Sequence, residues 1–161
     1  MSTATRPRSR AAPDLLALDN QLCFALYGAS LAMTKRYRPL LDPLGLTYPQ
    51  YLVMLALWAN DGPSVSALGT SLGLDSGTLT PLLKRLEAQQ LLQRQRAADD
   101  ERRVQVQLTA AGRALRRRAQ AVPTQMAAAS GCTLDELTAM TARLQTLRRT
   151  LGATDSSTPQ A

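Results

Sequence analysis

Hydrophobic residues in the middle of the chain recur at three- and four-residue intervals, which is the period of an amphipathic helix. This stripe consists of Leu79, Leu82, Leu83 and Leu86. Asp75 or Ser76 stands ahead of the stripe and can accept hydrogen bonds from the first free amides of the helix. Two strand-like runs follow at 91–96 and 103–108, and the second alternates apolar and polar positions. The pattern predicts a helix and then a β-hairpin with a charged tip at 97–102.

A long first helix is predicted from a cap at Asp14 to about residue 38, where Pro39 and Pro43 end it. Its apolar face consists of Leu15, Leu18, Leu22, Ala25, Ala29 and Met33. A polar stripe beside that face carries Cys23, Tyr27, Ser30, Thr34 and Tyr37. On a straight helix Cys23 and Tyr37 are about 21 Å apart, so they cannot meet within one chain. Cys23 is expected to lie too far inside the helix to interact with the free amides at its N-terminus.

Further helices are predicted on both sides of this middle stretch. Thr47 begins a second helix, and residues 64–72 form a short third one. The second helix is expected to bury Leu52, Val53, Leu55, Leu57 and Trp58. Thr109 caps a further helix that runs to about residue 129, and Thr133 starts the last one. The last helix has a coiled-coil-like seam of Leu134, Leu137, Met140, Leu144, Leu147 and Leu151.

The predicted fold class is mainly α with a small β-hairpin, arranged as a winged helix-turn-helix with N- and C-terminal dimerisation helices. One domain is expected at 14–152, with its DNA-binding part at about 47–109. Its dimerisation part comprises 14–46 and 110–152, whose spare apolar faces predict a homodimer. The ends, 1–13 and 153–161, are expected to be disordered tails, although the arginines of the first also fit a DNA-contacting arm.

Charge narrows the range of partners. The 161 residues include 19 basic and 12 acidic side chains, which gives a formal charge of +7. This balance favours a polyanion, with nucleic acid as the first candidate and a membrane surface as the second. No run approaches the roughly 18 apolar residues that span a bilayer, and no signal peptide is recognisable. The protein is therefore expected in the cytoplasm, where its two cysteines are reduced by default.

The residue inventory also limits the chemistry. Two cysteines and no histidine cannot form a structural zinc site or a histidine-based catalytic triad, so neither a metal nor another cofactor is expected. The sequence has no glycine-rich phosphate loop and no close group of carboxylates. These features predict a protein that is not an enzyme.

Short donors and cations lie on the side of the middle helix away from its leucines. They are Ser76, Thr78, Thr80, Lys84 and Arg85. Side chains of these types contact base edges and phosphates in a major groove. The expected partner is therefore double-stranded DNA, and two copies of this recognition helix, one from each subunit, would bind a pseudo-palindrome.

Several blocks of the sequence resemble one family of regulators. The run DDERRVQVQLTAAG at 99–112 resembles the wing signature of the MarR family, in which D-x-R is followed by L-T-x-x-G. Residues 18–35, 44–55 and 74–87 resemble the organic-hydroperoxide-sensing OhrR branch. The likeness covers roughly 18–118 and extends to the C-terminal helices only in pattern. It implies a dimeric repressor that binds operator DNA when reduced and leaves it when an organic hydroperoxide oxidises the protein.

The resemblance implies roles for the hairpin residues Arg94, Arg96, Asp100, Arg102 and Arg103. Arg102 would be the wing-tip residue that enters a minor groove, with Asp100 holding it. As a set, the arginines fit phosphate contact. Taken individually, Arg94, Arg96 and Arg103 also fit an ordinary solvated run of charges.

The resemblance also implies the peroxide sensor. Cys23 would be the reactive thiol, and Tyr37 and Tyr48 of the partner subunit would hydrogen-bond to its sulfur. Tyr27 lies one turn from Cys23 in the same helix. The chemistry requires a thiolate, and without histidine the available hydrogen-bond donors are phenols. Without the resemblance, Cys23 fits a buried inert thiol, and the tyrosines fit ordinary half-buried phenols.

Cys132 is placed at the beginning of the last helix, where it is either a reactive thiol or simply a small residue in a loop. In some members of the family a second cysteine, near the C-terminal helices of the other subunit, resolves the oxidised first one, and Cys132 matches it. The alternative is resolution by a small external thiol. Two other functions remain open: a related regulator that binds a phenolic ligand in its dimer cleft, and a thiol peroxidase, although no C-x-x-C motif supports the latter.

Overall fold

The computed structural model describes residues 14–96 and 103–154, which are helical apart from one two-stranded sheet and the connecting turns. In chain order the elements are α1 Leu22–Leu41, α2 Tyr48–Ala59, α3 Val65–Leu72, α4 Ser76–Ala88, β1 Leu92–Arg96, β2 Val104–Leu108, α5 Ala110–Ala119, α6 Ala121–Ser130 and α7 Leu134–Thr154. Two 3-10 turns, Leu18–Asn20 and Asp42–Leu44, flank α1. This order confirms the predicted class, mainly α with a β-hairpin. The chain divides into two compact units with the boundary after Lys35.

In the first unit, Asp14 begins a turn and not a helix, contrary to the prediction. Its carboxylate accepts a hydrogen bond from the backbone N–H of Leu16 at 2.9 Å, and the Asn20 side chain donates to its carbonyl at 2.7 Å. Gln21 is extended, with φ −87° and ψ 113°, so the regular helix begins only at Leu22. Side chains that bond to nearby backbone groups in this way compete with helix formation.

Near two proline residues, the helix boundaries differ from those predicted. Pro39 lies inside α1, which continues to Leu41. Proline removes only one backbone donor from this last turn, and the fully buried Leu41 keeps the chain in place. The single helix predicted behind the hairpin is divided at Gln120 into α5 and α6. Pro123 has no N–H for the carbonyl of Ala119 four residues earlier, which interrupts the helix at that point.

Helices α2 and α3 begin at polar caps. Thr47 and Gln50 form a capping box, in which the Gln50 side chain accepts from the Thr47 N–H at 2.8 Å and Thr47 Oγ1 accepts from the Gln50 N–H at 3.5 Å. Ser64 Oγ accepts from the Ala67 N–H at 3.1 Å and so caps α3. Gly73 ends α3 in the left-handed region, at φ +65°. These short connections leave α4 directly behind α3, as a helix-turn-helix requires.

The core of the second unit lies among α2, α3, α4, α5 and the hairpin. Its fully buried side chains are Leu41, Tyr51, Val53, Met54, Leu57, Leu68, Leu79, Leu83, Leu86, Leu92 and Val106. On α2 the buried face includes Tyr51 and Met54, whereas Leu55, expected to be buried, is 40% exposed. Truncating one buried leucine to alanine costs about 2–5 kcal/mol, so this cluster holds the recognition helix firmly on the domain.

The hairpin is antiparallel and is attached to the segment ahead of α3. Arg94 on β1 is opposite Val106 on β2. The Val106 N–H donates to the carbonyl of Pro63 at 2.9 Å, and Ser64 forms an isolated bridge with Gln105. The loop before α3 therefore pairs with the outer edge of β2 and supports the wing.

The turn between α4 and β1 is held by the start of α5. Gln90 has a left-handed backbone, at φ 59°, and its carbonyl accepts a hydrogen bond from Thr109 Oγ1 at 2.6 Å. The Thr109 N–H donates to the carbonyl of Leu91 at 3.1 Å. Gly112 lies against the same carbonyl, where an added Cβ would be 2.0 Å from its oxygen. The L-T-x-x-G motif thus joins the end of the wing to the turn where the wing begins.

Apolar side chains at both ends of the chain are exposed in the isolated subunit. In the first unit they include Leu15, Leu18, Leu22, Phe24, Leu31 and Met33. On α7 they are Leu134, Met140, Leu144 and Leu151, of which Leu134 is 73% exposed. Exposed apolar side chains in this number indicate an interaction surface.

Candidate DNA interface and cysteine site

The recognition helix α4 buries its leucines and exposes its polar face. Leu79, Leu83 and Leu86 are buried against the core. The predicted contact residues lie on the other side: Ser76, Thr78, Lys84 and Arg85 are exposed and Thr80 is half-buried. The structure therefore brings all five onto the accessible side of one helix.

Asp75 is the cap of α4, which resolves the choice between Asp75 and Ser76. Its carboxylate accepts from the Thr78 N–H at 2.8 Å and from Thr78 Oγ1 at 3.0 Å. The backbone hydrogen bond, followed by the side-chain hydrogen bond from Thr78, lowers the pKa of Asp75 below its ordinary value. The Thr78 hydroxyl proton is therefore directed at Asp75, and its oxygen lone pairs face outward as acceptors.

An open cleft of about 690 Å³ lies between α3, the start of α4 and β2. Its polar lining includes Ser64, Ser66, Thr70, Ser76 and Arg103. The hydroxyl side chains of α3 were not predicted from the sequence as part of this surface. Their spacing is a possible signal, because residues 66 and 70 lie one helical turn apart on the side away from buried Leu68. The cleft joins the recognition helix to the wing as one accessible surface.

The hairpin arginines have different surroundings. Arg94 is half-buried and paired with Glu87, with 2.7 Å between Nη2 and Oε2. Arg96 and Arg103 are exposed, and Arg103 lines the cleft. Asp100 and Arg102, the predicted wing-tip residues, lie outside the described residues.

Cys23 is exposed and lies in the first turn of α1, because that helix begins at Leu22. The expectation that Cys23 lies deep inside its helix is therefore wrong. In the first turn the backbone N–H groups have no partners within the helix and can stabilise a negative charge. Tyr27, one turn further on, is 64% exposed. Both side chains lie on the uncovered surface of the first unit.

Tyr37 and Tyr48 lie together in the second unit. Their ring centroids are 4.7 Å apart, and Tyr37 is also 6.0 Å from the ring of Tyr51, a residue that the sequence analysis did not single out. Burial, and then the proximity of Tyr48, raises the pKa of Tyr37, while burial and both neighbouring phenols raise that of Tyr51. These two phenols therefore keep their protons and can act as donors. Trp58 extends the cluster, with its ring 6.4 Å from Tyr51.

Cys132 precedes the last helix instead of beginning it, since α7 starts at Leu134. The cap is a Thr133–Glu136 pair, in which the Glu136 carboxylate accepts from the Thr133 N–H at 2.8 Å and Thr133 Oγ1 accepts from the Glu136 N–H at 3.2 Å. Cys132 is half-buried, and its N–H donates to Ser130 Oγ at 3.2 Å. The thiol therefore lies in the short α6–α7 turn.

A small cavity of about 200 Å³ lies between α2 and the α5–α6 junction. Its lining is mostly apolar and includes Tyr51, Leu55, Trp58 and Pro123, with Arg116 as its cation. Trp58 Nε1 donates to the carbonyl of Gly112 at 2.9 Å, which holds the indole in place. Among residues 14–96 and 103–154, no group of acidic, cysteine or histidine side chains is arranged to hold a metal, and no helix can cross a bilayer.

Residues 35–118 match the family described as transcriptional regulator SarA/Rot. The chain is 46% identical over 138 residues to the organic hydroperoxide resistance transcriptional regulator of Bacillus subtilis, covering 86% of this chain and 94% of that protein. It is 48% identical over 145 residues to the HTH-type transcriptional regulator TtmR of Methylorubrum extorquens, covering 90% and 74% of the two chains.

Solved structures with the same fold include AbfR of Staphylococcus epidermidis. Reduced AbfR bound to DNA is 35% identical, with a TM-score of 0.67 over 83% of this chain and 93% of that one. A disulfide-formed AbfR matches with a TM-score of 0.56 and 32% identity over 87% and 93%. Wild-type MarR of E. coli, at 23% identity and a TM-score of 0.62 over 79% and 96% of the two chains, bears on the fold alone.

Proposed function

Because the chain belongs to the SarA/Rot family of transcriptional regulators and is closely similar to an organic hydroperoxide resistance regulator, we propose that it is a cytoplasmic, homodimeric repressor that organic hydroperoxides release from operator DNA. Cys23, exposed in the first turn of α1, is the observation that carries the sensing part of the proposal. Each oxidation switches the protein from its DNA-bound state to its released state. The protein does not turn over peroxide as an enzyme would.

The DNA contacts are proposed to come from α4 and the wing of each subunit. Ser76, Thr78, Thr80, Lys84 and Arg85 enter the major groove of each half-site. Arg96, Arg102 and Arg103 contact flanking backbone or minor groove, with Asp100 beside Arg102. Two helices related by a twofold axis require a pseudo-palindromic operator. The exposed polar face of α4 and the adjoining cleft support this proposal.

The apolar faces of the first unit and of α7 are proposed to form the homodimer interface. Leu15, Leu22, Leu134 and Leu151 are each more than half exposed in the isolated chain. Fully burying an exposed leucine gains about 1.5–3 kcal/mol, so covering these partly exposed side chains gains about 1–2 kcal/mol each. A twofold axis is the simplest symmetry that covers both faces at once. In such a dimer each subunit presents the same apolar faces to the other.

In the sensing step, the Cys23 thiolate attacks one peroxide oxygen and the O–O bond breaks. The sulfur loses two electrons and becomes a sulfenic acid, while the other oxygen takes a proton and leaves as an alcohol. The thiolate, and not the thiol, is the nucleophile in this step. The exposed apolar side chains Leu22 and Phe24, on either side of Cys23, suit the alkyl part of an organic peroxide.

Tyr37 and Tyr48 of the partner subunit are proposed to donate hydrogen bonds to the sulfur, with Tyr27 from the same helix. Their close packing in the second unit supports a shared role, because both phenols occupy one small region. A hydrogen bond to a charged group contributes about 1.5–3 kcal/mol.

Cys132 of the partner is proposed to resolve the sulfenic acid. Its thiolate attacks the Cys23 sulfur, a disulfide forms, and the sulfenic oxygen leaves as water. The half-buried position of Cys132 in the α6–α7 turn supports this role, because the residue is not sealed inside the core. The bridge would then rotate the two subunits and change the spacing of the recognition helices.

The test is operator binding before and after one equivalent of cumene hydroperoxide. Cys23→Ser is expected to bind as tightly as the wild type and to remain bound after oxidant, because only the nucleophile is lost. Cys132→Ser serves as the matched control, with an intact sensor and no resolving thiol. Release of the Cys23→Ser protein by peroxide would rule out Cys23 as the sensor.

The cavity between α2 and α5–α6 favours one competing function, a regulator released by a small phenolic ligand. Its aromatic walls and the nearby Arg116 fit an anionic ring compound. Release of DNA by a phenolic carboxylate, but not by peroxide, would support this second function and contradict the first.

A further inference from the structure

The structure assigns Glu87 and Arg94 to a positioning pair that sets the wing against the recognition helix, so that Arg94 acts through Glu87 and not by touching DNA. This inference rests on the DNA-binding function proposed above. It also changes the predicted role of Arg94. From the sequence, Arg94 is grouped with the arginines that contact DNA phosphates.

The two residues are joined by three hydrogen bonds, one from the backbone of Arg94 and two from its side chain. Glu87 Oε1 accepts from the backbone N–H of Arg94 at 2.9 Å, and Oε2 accepts from Arg94 Nε at 3.0 Å and from Nη2 at 2.7 Å. The side chains are 28% exposed at Arg94 and 34% at Glu87. One carboxylate therefore holds both the backbone and the guanidinium of the same strand residue.

The backbone bond explains why the pair fixes the strand as well as the side chain. Arg94 is opposite Val106 in the ladder, but the Val106 N–H is used on its far side, toward Pro63. Residues opposite each other without exchanged bonds direct their backbone groups away from the partner strand. The Arg94 N–H thus lies on the outer edge of β1, and Glu87 satisfies it.

Glu87 and Arg94 lie on either side of the chain connection between α4 and β1. That connection is the short turn 89–91, in which Gln90 is left-handed. Two residues beyond Arg94, Arg96 is exposed on the same strand, and Arg103 is exposed directly before β2. The position of both cations therefore depends on the angle that the pair fixes at the base of the hairpin.

Removing the Glu87 carboxylate has opposite expected effects on DNA affinity, depending on whether this side chain positions the wing or not. If the carboxylate had no positioning role, removing its negative charge would strengthen binding to a polyanion. If it holds the wing, removing it weakens binding, because the wing cations lose their alignment. In addition, an arginine already neutralised by a carboxylate releases few counterions from DNA and adds little to the salt dependence.

The binding experiment measures operator affinity at several salt concentrations for Glu87→Ala, Arg94→Gln, the double variant and Arg96→Gln. Alanine suits the helix, and thermal midpoints verify folding. Each of the first two changes is expected to weaken binding about three- to tenfold, with the double variant no weaker than either single one. Their salt slopes should fall by clearly less than one, because the misaligned wing cations stay close to the DNA. Arg96→Gln, the control for a direct contact, should lower the slope by about one.

Binding by Glu87→Ala that equals or exceeds the wild type would overturn the inference, as would a salt slope reduced by about one in Arg94→Gln. Hydrogen exchange of the free protein gives a second criterion that needs no DNA. Glu87→Ala should speed exchange of the Arg94 amide while leaving the amides of core residues such as Val53 unchanged, and an unchanged Arg94 amide would refute the pair. If the wild type binds no operator, the proposed function is wrong. Hydrogen exchange of the Arg94 amide then tests the Glu87–Arg94 pair by itself.

Discussion

Gly112→Ala should destabilise the protein severely, because the added methyl group has no space. Its Cβ would lie 2.0 Å from the Leu91 carbonyl oxygen, 3.0 Å from the carbonyl carbon and 3.2 Å from Leu108 Cδ2. A relaxed C···O contact is about 3.3 Å, so α5 and the turn before β1 would have to separate by about 1.3 Å. Both sides of this contact are backbone, so rotation of a side chain cannot relieve it.

The expected cost has two parts. Overpacking against backbone costs on the order of 3 kcal/mol. Moving the start of α5 also strains the bond from Trp58 Nε1 to the Gly112 carbonyl, at 2.9 Å, which adds about 1 kcal/mol. The total of about 4 kcal/mol is a large fraction of the 5–15 kcal/mol that stabilises a typical domain.

The assay is denaturant unfolding followed by circular dichroism, at fixed protein concentration because dimerisation contributes to stability. Gly152→Ala is the matched control, since a Cβ there meets nothing within 4 Å and alanine favours the helix. A loss below about 1 kcal/mol in Gly112→Ala would refute the reasoning, because it would mean that the α5–β1 junction can open at little cost.

Three further predictions concern other parts of the chain. Gln90→Gly should raise the free energy of unfolding by about 0.5–1 kcal/mol, because glycine relieves the left-handed backbone at φ 59°; equal or lower stability in chemical denaturation would contradict this. The pKa of Asp75 is lowered from its ordinary value of 3.8, so its stabilising effect is present above that value and lost as the pH falls through the lowered pKa. Thermal midpoints should therefore drop more steeply in acid for the wild type than for Asp75→Asn, and parallel curves would argue against the cap. Non-reducing gels after stoichiometric cumene hydroperoxide should show a disulfide-linked dimer that is absent in Cys132→Ser; a wild type that stays monomeric on the gel while Cys23 is oxidised would point to an external thiol.

Local features were predictable because they depend on neighbouring residues. The leucine stripe of α4 and the alternation in β2 identified the winged-helix unit, and the family resemblance drawn from the same blocks is confirmed. The caps at Thr47 and Thr109 were also visible, since a cap involves only a residue and the amides that follow it. The roles of the individual site residues remain predictions.

Helix boundaries were less predictable where side chains compete for the backbone. The bond from Asn20 to Asp14 and the extended Gln21 delay α1 until Leu22. As a result, Cys23 moves from the expected helix interior into the first turn. The spacing of hydrophobic residues gives no sign of this competition. The competition nevertheless changes the electrostatic surroundings of Cys23, the cysteine most important to the proposed function.

Contacts between distant residues were decided only by the tertiary structure. Glu87 holds Arg94 through a turn whose geometry depends on Gln90 and Thr109, and nothing in the local pattern separates Arg94 from the exposed Arg96. By itself, the sequence determined the periodicity, the caps and the kinds of side chain on each face, because these follow from the next few residues. The structure decided which cations are paired and which remain accessible, because pairing depends on how the packed core positions helix and hairpin.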